Sequence, residues 1–597
     1  MTGTPSIAHV GAPVPLRQYA LLADGERGAL VGPRGDIAFL CAPRWHDDAV
    51  FSSLLGGRGG YAVTPRSRRY VWGGHYDQDT LIWRSRWVAT SGVIECREAL
   101  AFPGERDRVV LLRRVEATRG DAHVRVLLEC RAEFGARPMT VRRGADGVWE
   151  GRTGDLRYRW SGVPHHARLD EGRLVVDLDV PEGASHDLVL EISRGPLPDE
   201  RPDATSAWER TERAWRDAVP DLDGSVAPGE SHHSYAVLRG LTGGSGAMVA
   251  AATTALPERA EQGRNYDYRY AWIRDQCFAG QAAAAVGGHQ LLDAAVRFVS
   301  ERVLEDGPRL RPAYTVDGDP VPDERRLPLP GYPGAPVGVG NRANSQFQLD
   351  AFGEALLLLA AADRAGRLDG IGEKAVEALV DAIRRRQDDP DAGIWELEDR
   401  RWAHSRLICA AGLRAAADRR GGDVAATWQK AADHLVDSVD RDCRHPSGRW
   451  QRSPDDPGVD AALLLPGLRG AVPVDDPRHL RTLRAVVDDL TDDGYVYRFR
   501  QDPDRPLHEA EGAFVLSGFH MSLATLQQGR RAEALRWFER NRGALGPPGL
   551  FTEEYDVVQR QMRGNLPQAF VHALLLETAQ RLGDAGVSSR GFEARDR

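Results

Sequence analysis

The sequence predicts a two-part chain, an N-terminal β-sandwich followed by a helical domain. Three observations carry this. At 597 residues the chain is too long for one hydrophobic core, so two or more domains are expected. Up to about residue 220, short β-branched and aromatic runs alternate with polar turns. From about residue 233 the apolar residues recur at helical spacing instead.

The strand signals come first. RYVWGGHYDQDTLIWRSRWVATSGVIECREAL mixes β-branched and aromatic residues with Gly and Asp turns, and DRVVLLRRVEA, HVRVLLECRAEF and HDLVLEISR read as further strands. Many short strands at this spacing predict a sandwich over residues 1–220. The Pro- and charge-rich stretch 196–232 reads as a linker with one helix, Trp208 to Ala218. Helices are then expected near 234–241, 274–286, 289–303, 343–364, 370–387, 403–419, 424–440, 459–467, 476–490, 511–528, 530–543 and 567–582. They come in successive pairs without a sequence repeat. A bundle, an α-solenoid and a closed toroid all satisfy this pattern for the second domain, residues 233–590.

Composition narrows the function classes. Hydrophobic residues make up 42% and charged residues 28%, an ordinary globular balance. Net charge is −9 without a basic block, which argues against nucleic acid or an anionic membrane as partner. No apolar run is long enough for a membrane span. Six scattered cysteines (41, 96, 130, 277, 409 and 443) form no Cys-x-x-Cys pair, so neither a zinc site nor a disulfide framework is expected. A reducing compartment follows. The N-terminal stretch MTGTPSIAHVGAPVPLRQ lacks the charged start and apolar core of an export signal, and the expectation is a cytoplasmic protein. No nucleotide-binding glycine fingerprint is present, and no cofactor or metal is expected.

Three clusters carry candidate chemistry. RNYDYRYAWIRDQCF holds Tyr268, Trp272, Arg274 and Asp275. Aromatics stack on sugar rings, and an adjacent Arg and Asp donate and accept hydrogen bonds to vicinal hydroxyls. The plainer alternative is a helix start with Asp275 favouring the dipole. DAGIWELEDRRWAHSR places Glu396 directly after Trp395. A Trp that desolvates a carboxyl raises its pKa, as a general acid requires; the alternative is a surface acid beside a packed Trp. FTEEYDVVQRQMRGNLPQAFVHALLL puts Glu553 and Glu554 ahead of a Gly-Asn-x-Pro turn and an apolar helix. Polar neighbours there are expected to keep a general base ionised, unless this is an idle acidic loop. His404 and His572 read as structural more readily than as catalytic. One carboxyl against an aromatic and one among polar groups suggests glycoside hydrolysis.

At these clusters the chain resembles glycoside hydrolase family 15, the glucoamylase-like enzymes, which include bacterial α,α-trehalases and glucodextranases. NYDYRYAWIRD is similar to the family's sugar-binding segment, DAGIWE to its acid segment, and TEEYD followed by GNLPQAF-H to its base segment. ALVGPRGDIAFLCAPRWHDDAVFSSLLG looks like the opening segment of the bacterial members. The resemblance runs over nearly the whole chain. It implies a β-sandwich followed by an (α/α)6 barrel and inverting exo-attack on an α-glucosidic bond. It implies Glu396 as general acid and Glu553 as general base. Glu554 would be a polar neighbour in the pocket, Arg274 and Asp275 would hold sugar hydroxyls, and Tyr268, Trp272 and Trp395 would line the sugar site. The chain departs from the family at Pro333 and Gly338, where basic residues are common, with Arg342 as a possible substitute, and at Glu398, where a basic residue is common. These departures bear on the leaving-group site.

The expected activity is inverting hydrolysis of small α-glucosides from nonreducing ends: malto- or isomalto-oligosaccharides, dextrin or trehalose. A glycoside phosphorylase and a sugar-binding protein without turnover are the alternatives.

Overall fold

In the computed structural model, residues 12–259, 264–333, 335–502 and 504–587 are described. The first eleven residues, where an export signal would begin, lie outside them.

Two eight-stranded antiparallel sheets form the N-terminal domain. One runs in the order Ala20–Ala23, Gly28–Val31, Asp36–Cys41, Gly60–Pro65, Ala122–Glu129, Arg173–Val180, Arg168–Asp170, with Ala49–Phe51 paired to Asp36–Cys41. The other runs Thr140–Arg143, Trp149–Thr153, Leu156–Ser161, Ser185–Ser193, Arg108–Arg119, Gly92–Leu100, Trp83–Ala89, Tyr70–Tyr76. Along Trp83–Ala89 buried and accessible residues alternate, the two-residue period of a strand with one face in a core. Trp83, Trp87 and Trp160 fill the space between the sheets.

The helices are α1 (Ala204–Ala218), α2 (Pro228–Leu241), α3 (Ile273–Ala285), α4 (His289–Asp306), α5 (Asp350–Arg364), α6 (Gly370–Arg386), α7 (Ala403–Ala417), α8 (Gly422–Asp442), α9 (Leu465–Leu468), α10 (Pro477–Asp489), α11 (Leu507–Ala510), α12 (Val515–Gln527), α13 (Arg531–Arg542) and α14 (Ala569–Asp584). Helix α5 is buried from Asp350 to Ala362 and α7 from Ala403 to Leu413. Helices apolar on every side belong inside. By contrast α6 and α8 bury one stripe. The buried helices close a ring in which α3 packs on α5, α5 on α7, α7 on α9, α9 on α12, α12 on α14 and α14 on α3. Outside it, α2 packs on α14, α4 on α3, α6 on α5, α8 on α7 and α13 on α12. Helix α10 covers the turn before α9. This is an (α/α)6 barrel.

Two expected helices differ in detail. The one expected from 343 begins at Asp350, because Asn341 caps a short 3-10 turn, Arg342–Ser345, and the chain then extends at Gln346. The 459–467 helix is a 3-10 turn, Ala461–Leu464, capped by Asp460, running into the one-turn α9. Within the expected linker, α1 is packed rather than free. Trp215 stacks on Phe102 with centroids 3.9 Å apart, and Trp208 Nε1 donates to Asp187 Oδ1.

The sandwich also braces the barrel where the aromatic segment runs. Arg269 is buried, pairs with Asp267 at 2.7 Å, and donates to the Asp47 carbonyl at 2.7 Å. Asp267 in turn accepts from the Gly340 N–H. All six cysteines are free and buried. No helix among the described residues is long and apolar enough to cross a membrane.

Candidate active site

A cavity of about 390 Å³ opens at one end of the barrel. Its walls bring together Tyr268, Arg274, Trp395, Glu396 and Glu553, from three segments far apart in the chain. The volume lies in the range of small-molecule sites.

The segment carrying Trp395 and Glu396 makes a tight turn. Gly393 has φ +67° and Glu396 has φ +55°; the Glu396 N–H donates to the Gly393 carbonyl at 3.1 Å. A left-handed conformation at a non-glycine residue is costly and is retained where the surroundings enforce it. The turn sends Trp395 and Glu396 in different directions. Trp395 Nε1 donates to Asp460 Oδ1 at 2.9 Å, and its ring meets Phe514 edge-on. The Glu396 carboxyl instead accepts from Trp272 Nε1 at 2.8 Å and lies 3.5 Å from Arg274 Nη2, with its side chain 25% exposed. Trp395 and Glu396 both line the cavity, but the indole that donates to the Glu396 carboxyl is that of Trp272 and not of its sequence neighbour. Trp272, 2% exposed, holds the carboxyl from behind the wall rather than lining the cavity.

Arg274 is the cation of this wall. It reaches the Ile394 carbonyl at 2.9 Å and Asp275 Oδ1 at 3.3 Å. Burial works against its charge, but Asp275, Glu396, Asp350 and Glu553 outweigh this and raise its pKa. Asp275 is 1% exposed and sits beneath Arg274. Burial pushes its carboxyl up to about 6 despite Arg274. Asp350, at the start of α5, is likewise pushed by burial to about 6, with Arg274 opposing. His404 is buried too, and burial and then Arg274 drive its ring down to about 3, so it is neutral.

The segment carrying Glu553 is held through the His572 side chain. The Phe551 N–H donates to His572 Nε2 at 3.3 Å, while His572 Nδ1 meets Ser234 Oγ at 3.0 Å. His572 thus acts structurally, pinning the segment that carries Glu553. Glu553 stands at a bend just before the short strand Glu554–Asp556, and the two side chains part there. Glu553 enters the cavity. Glu554 is fully buried behind it and accepts from the Gly512 N–H at 2.9 Å; the expectation that it lines the pocket is corrected. A Cβ on Gly512 would lie 2.9 Å from that carboxylate oxygen.

The electrostatics of Glu553 also reverse the sequence expectation. Burial first, then the charges of Glu258 and Glu554, hold its carboxyl well above the usual range, with Arg498 opposing. Its neighbours are polar, but they are carboxyls, and like charges disfavour a second anion. Glu258, Glu511, Glu553 and Glu554 face Arg264 and Arg498, and Arg498 is already committed to Glu511 at 2.7 Å.

Glu258 is the residue that sequence reasoning missed. The 250–258 strand-like segment hydrogen-bonds along 264–270: Ala250 N to Tyr270 O, Ala251 N to Tyr268 O, Ala255 N to Tyr266 O and Glu258 N to Arg264 O. This ladder brings Glu258 to the Tyr268 hydroxyl. Its signal, a Pro-Glu just before an aromatic run, is common in loops.

At the mouth, Arg342 lines the cavity and pairs with Glu324 at 3.4 Å, its side chain 76% exposed. Glu398 pairs with Arg400 away from the cavity. Asp221, Asp223 and His232 cluster elsewhere in a metal-like geometry. There His232 Nε2 already accepts the Leu222 N–H and Nδ1 meets Asp79.

Comparison with known proteins agrees with this architecture. The family model for "Glycosyl hydrolases family 15" matches residues 235–580, and "Trehalase-like, N-terminal" matches residues 9–217. The chain is 30% identical to a trehalase of Mycobacterium tuberculosis, covering 94% of this chain and 88% of that one. It is 28% identical to trehalase 1 of Sulfolobus acidocaldarius, covering 94% and 98%. A bacterial glucoamylase solved with acarbose matches 96% of this chain and 95% of its own with TM-score 0.70 at 14% identity, a likeness of fold. The chain belongs to glycosyl hydrolase family 15, and it is a glycoside hydrolase.

Proposed function

We propose that the enzyme hydrolyses α,α-trehalose, and related small α-glucosides from their nonreducing ends, with inversion at the anomeric carbon. The observation that carries this is the meeting of Glu396 and Glu553 in one cavity beside Arg274. In this mechanism Glu396 protonates the glycosidic oxygen. Glu553 takes a proton from a water attacking the opposite face, and the transition state is oxocarbenium-like. A carboxyl separation of roughly 6.5–9.5 Å leaves room for that water. Tyr268, donating toward Glu553 at 3.1 Å, orients the base. Arg274 holds sugar hydroxyls, with Asp275 fixing Arg274 from beneath.

Trehalose leads because the relatives named trehalases match along 94% of the chain. The polar mouth, with Arg342, Glu324, Asn265 and Gln346, suits a second hydroxylated ring. Malto- and isomalto-oligosaccharides and dextrin belong in the same assay.

Two substitutions test the roles. Glu396→Gln removes the proton donor and should cripple trehalose hydrolysis while sparing α-glucosyl fluoride, whose departure needs little protonation. Glu553→Gln should slow both substrates, with azide partly restoring turnover as β-glucosyl azide. The opposite leaving-group dependence would reverse the assignment. Full activity in both variants would place the site elsewhere. Glucose release without phosphate excludes phosphorolysis.

A further inference from the structure

The Tyr268 hydroxyl lies 3.2 Å from Glu258 Oε1 and 3.1 Å from Glu553 Oε2. A phenol has one proton and donates it once. Three oxygens joined by two hydrogen bonds need two protons, so the second must reside on a carboxyl. Burial, and the charges of Glu553, Glu258 and Glu396, hold the Tyr268 hydroxyl well above its ordinary pKa, so the phenol does not ionise to change this count. The row therefore carries one negative charge shared by two carboxyls. A concerted shift of both protons moves that charge from one carboxyl to the other without exchange with solvent.

The packing supports a built pair. Gly564, φ +86°, passes between the two acids; a Cβ there would be 3.4 Å from Glu258 Cγ and 3.8 Å from Glu553 Cβ. The groups facing Glu258 are Arg264, Tyr266 and Tyr268 on the aromatic segment, Arg498 and Glu511 on the neighbouring loop, Glu553 and Glu554 on the base strand, and Glu396 across the cavity. Burial raises the Glu258 carboxyl, while Arg498 and Arg264 pull it down. Glu553 is raised further, with Glu554 adding to the effect. Both carboxyls are thus raised by burial, and the charge of Glu258 raises Glu553 further, so the two hold one proton between them.

We propose that Glu258 is a positioning residue for the general base, sharing one proton with Glu553 both by direct carboxyl contact and through the Tyr268 hydroxyl, and so setting the pH above which the base is available. This rests on Glu553 being the base. Glu258→Gln removes the negative charge beside Glu553 and leaves an amide N–H that donates to the Tyr268 oxygen. Both changes favour ionised Glu553, so the low-pH limb of kcat/KM should move down by about one unit or more. A residue that merely packs would alter kcat or stability and leave the limb in place. An unmoved or upward-shifted limb overturns the proposal.

Should that variant fold poorly, the wild-type free enzyme labelled with carboxyl-13C glutamate decides. Glu258 and Glu553 should titrate as a linked pair in two separated steps, and two independent ordinary titrations overturn the coupling. The titration does not depend on turnover. Full activity of Glu553→Gln with a linked titration would sink the base assignment alone.

Discussion

Trp272→Phe isolates the contact that holds Glu396, the proposed acid. Phe keeps an aromatic ring in the buried site but deletes the Nε1–H that reaches Glu396 at 2.8 Å. A hydrogen bond to a charged group is worth about 1.5–3 kcal/mol. If the bond strengthens as Glu396 loses its proton to the leaving group, its loss falls on the transition state. That corresponds to a fall in kcat of roughly 10- to 150-fold. Trehalose hydrolysis should carry the loss and α-glucosyl fluoride should largely escape it. Trp272 is 2% exposed, so a melting curve must accompany the kinetics to separate lost packing from lost chemistry. Trp395→Phe is the matched control, since it breaks the bond to Asp460 and leaves Glu396 its donors. A Trp272→Phe enzyme within twofold of wild type on trehalose, beside a crippled Trp395→Phe, would refute the assignment of Trp272 as the partner of the acid.

Other consequences follow from the same geometry. Asp275→Asn removes the anion 3.3 Å from Arg274 Nε and should lower kcat/KM roughly tenfold or more with little change in melting temperature; unchanged kinetics would leave Asp275 a helix-start residue. Arg342→Ala should raise KM for trehalose and leave α-glucosyl fluoride unaffected, because Arg342 stands at the mouth; equal effects on both would move it out of the leaving-group site. Breaking the buried Arg469–Glu577 pair, 2.6 Å apart, with Glu577→Gln should cost about 3–5 kcal/mol by denaturant unfolding at pH 7. His520 is buried and held by burial and Arg469 at about 3, below the unfolded value of about 6.5. Below that value the unfolded chain binds the extra proton, so His520 costs stability as pH falls toward its folded value. His520→Gln should lose less stability than wild type between about pH 6.5 and 4, by up to about 1.4 kcal/mol per unit, and parallel curves would contradict this.

The architecture was legible because period and burial coincide. Inner helices such as α5 are apolar on all sides, and the strands alternate. The site was legible as segments and not as contacts. Sequence adjacency made Trp395 the neighbour of Glu396, but the Trp395 indole N–H goes to Asp460, and the donor to Glu396 comes from Trp272, remote in sequence. Adjacency likewise put Glu553 and Glu554 in one pocket, but the chain bends at Glu553, which enters the cavity, while Glu554 turns back to the Gly512 N–H. Glu258 joins the site only through the ladder between 250–258 and 264–270, a pairing that short irregular segments do not announce. Burial sets the direction of the Glu553 shift, and this missing carboxyl adds to it.

Stereochemistry tests the proposed mechanism most directly. Trehalose has two α anomeric centres. Inverting attack at one yields β-glucose, while the departing glucose keeps its α configuration. Proton NMR in the first turnovers, before mutarotation, should therefore show α- and β-glucose in equal amounts. Release of α-glucose alone would mean retention and would contradict the roles given to Glu396 and Glu553.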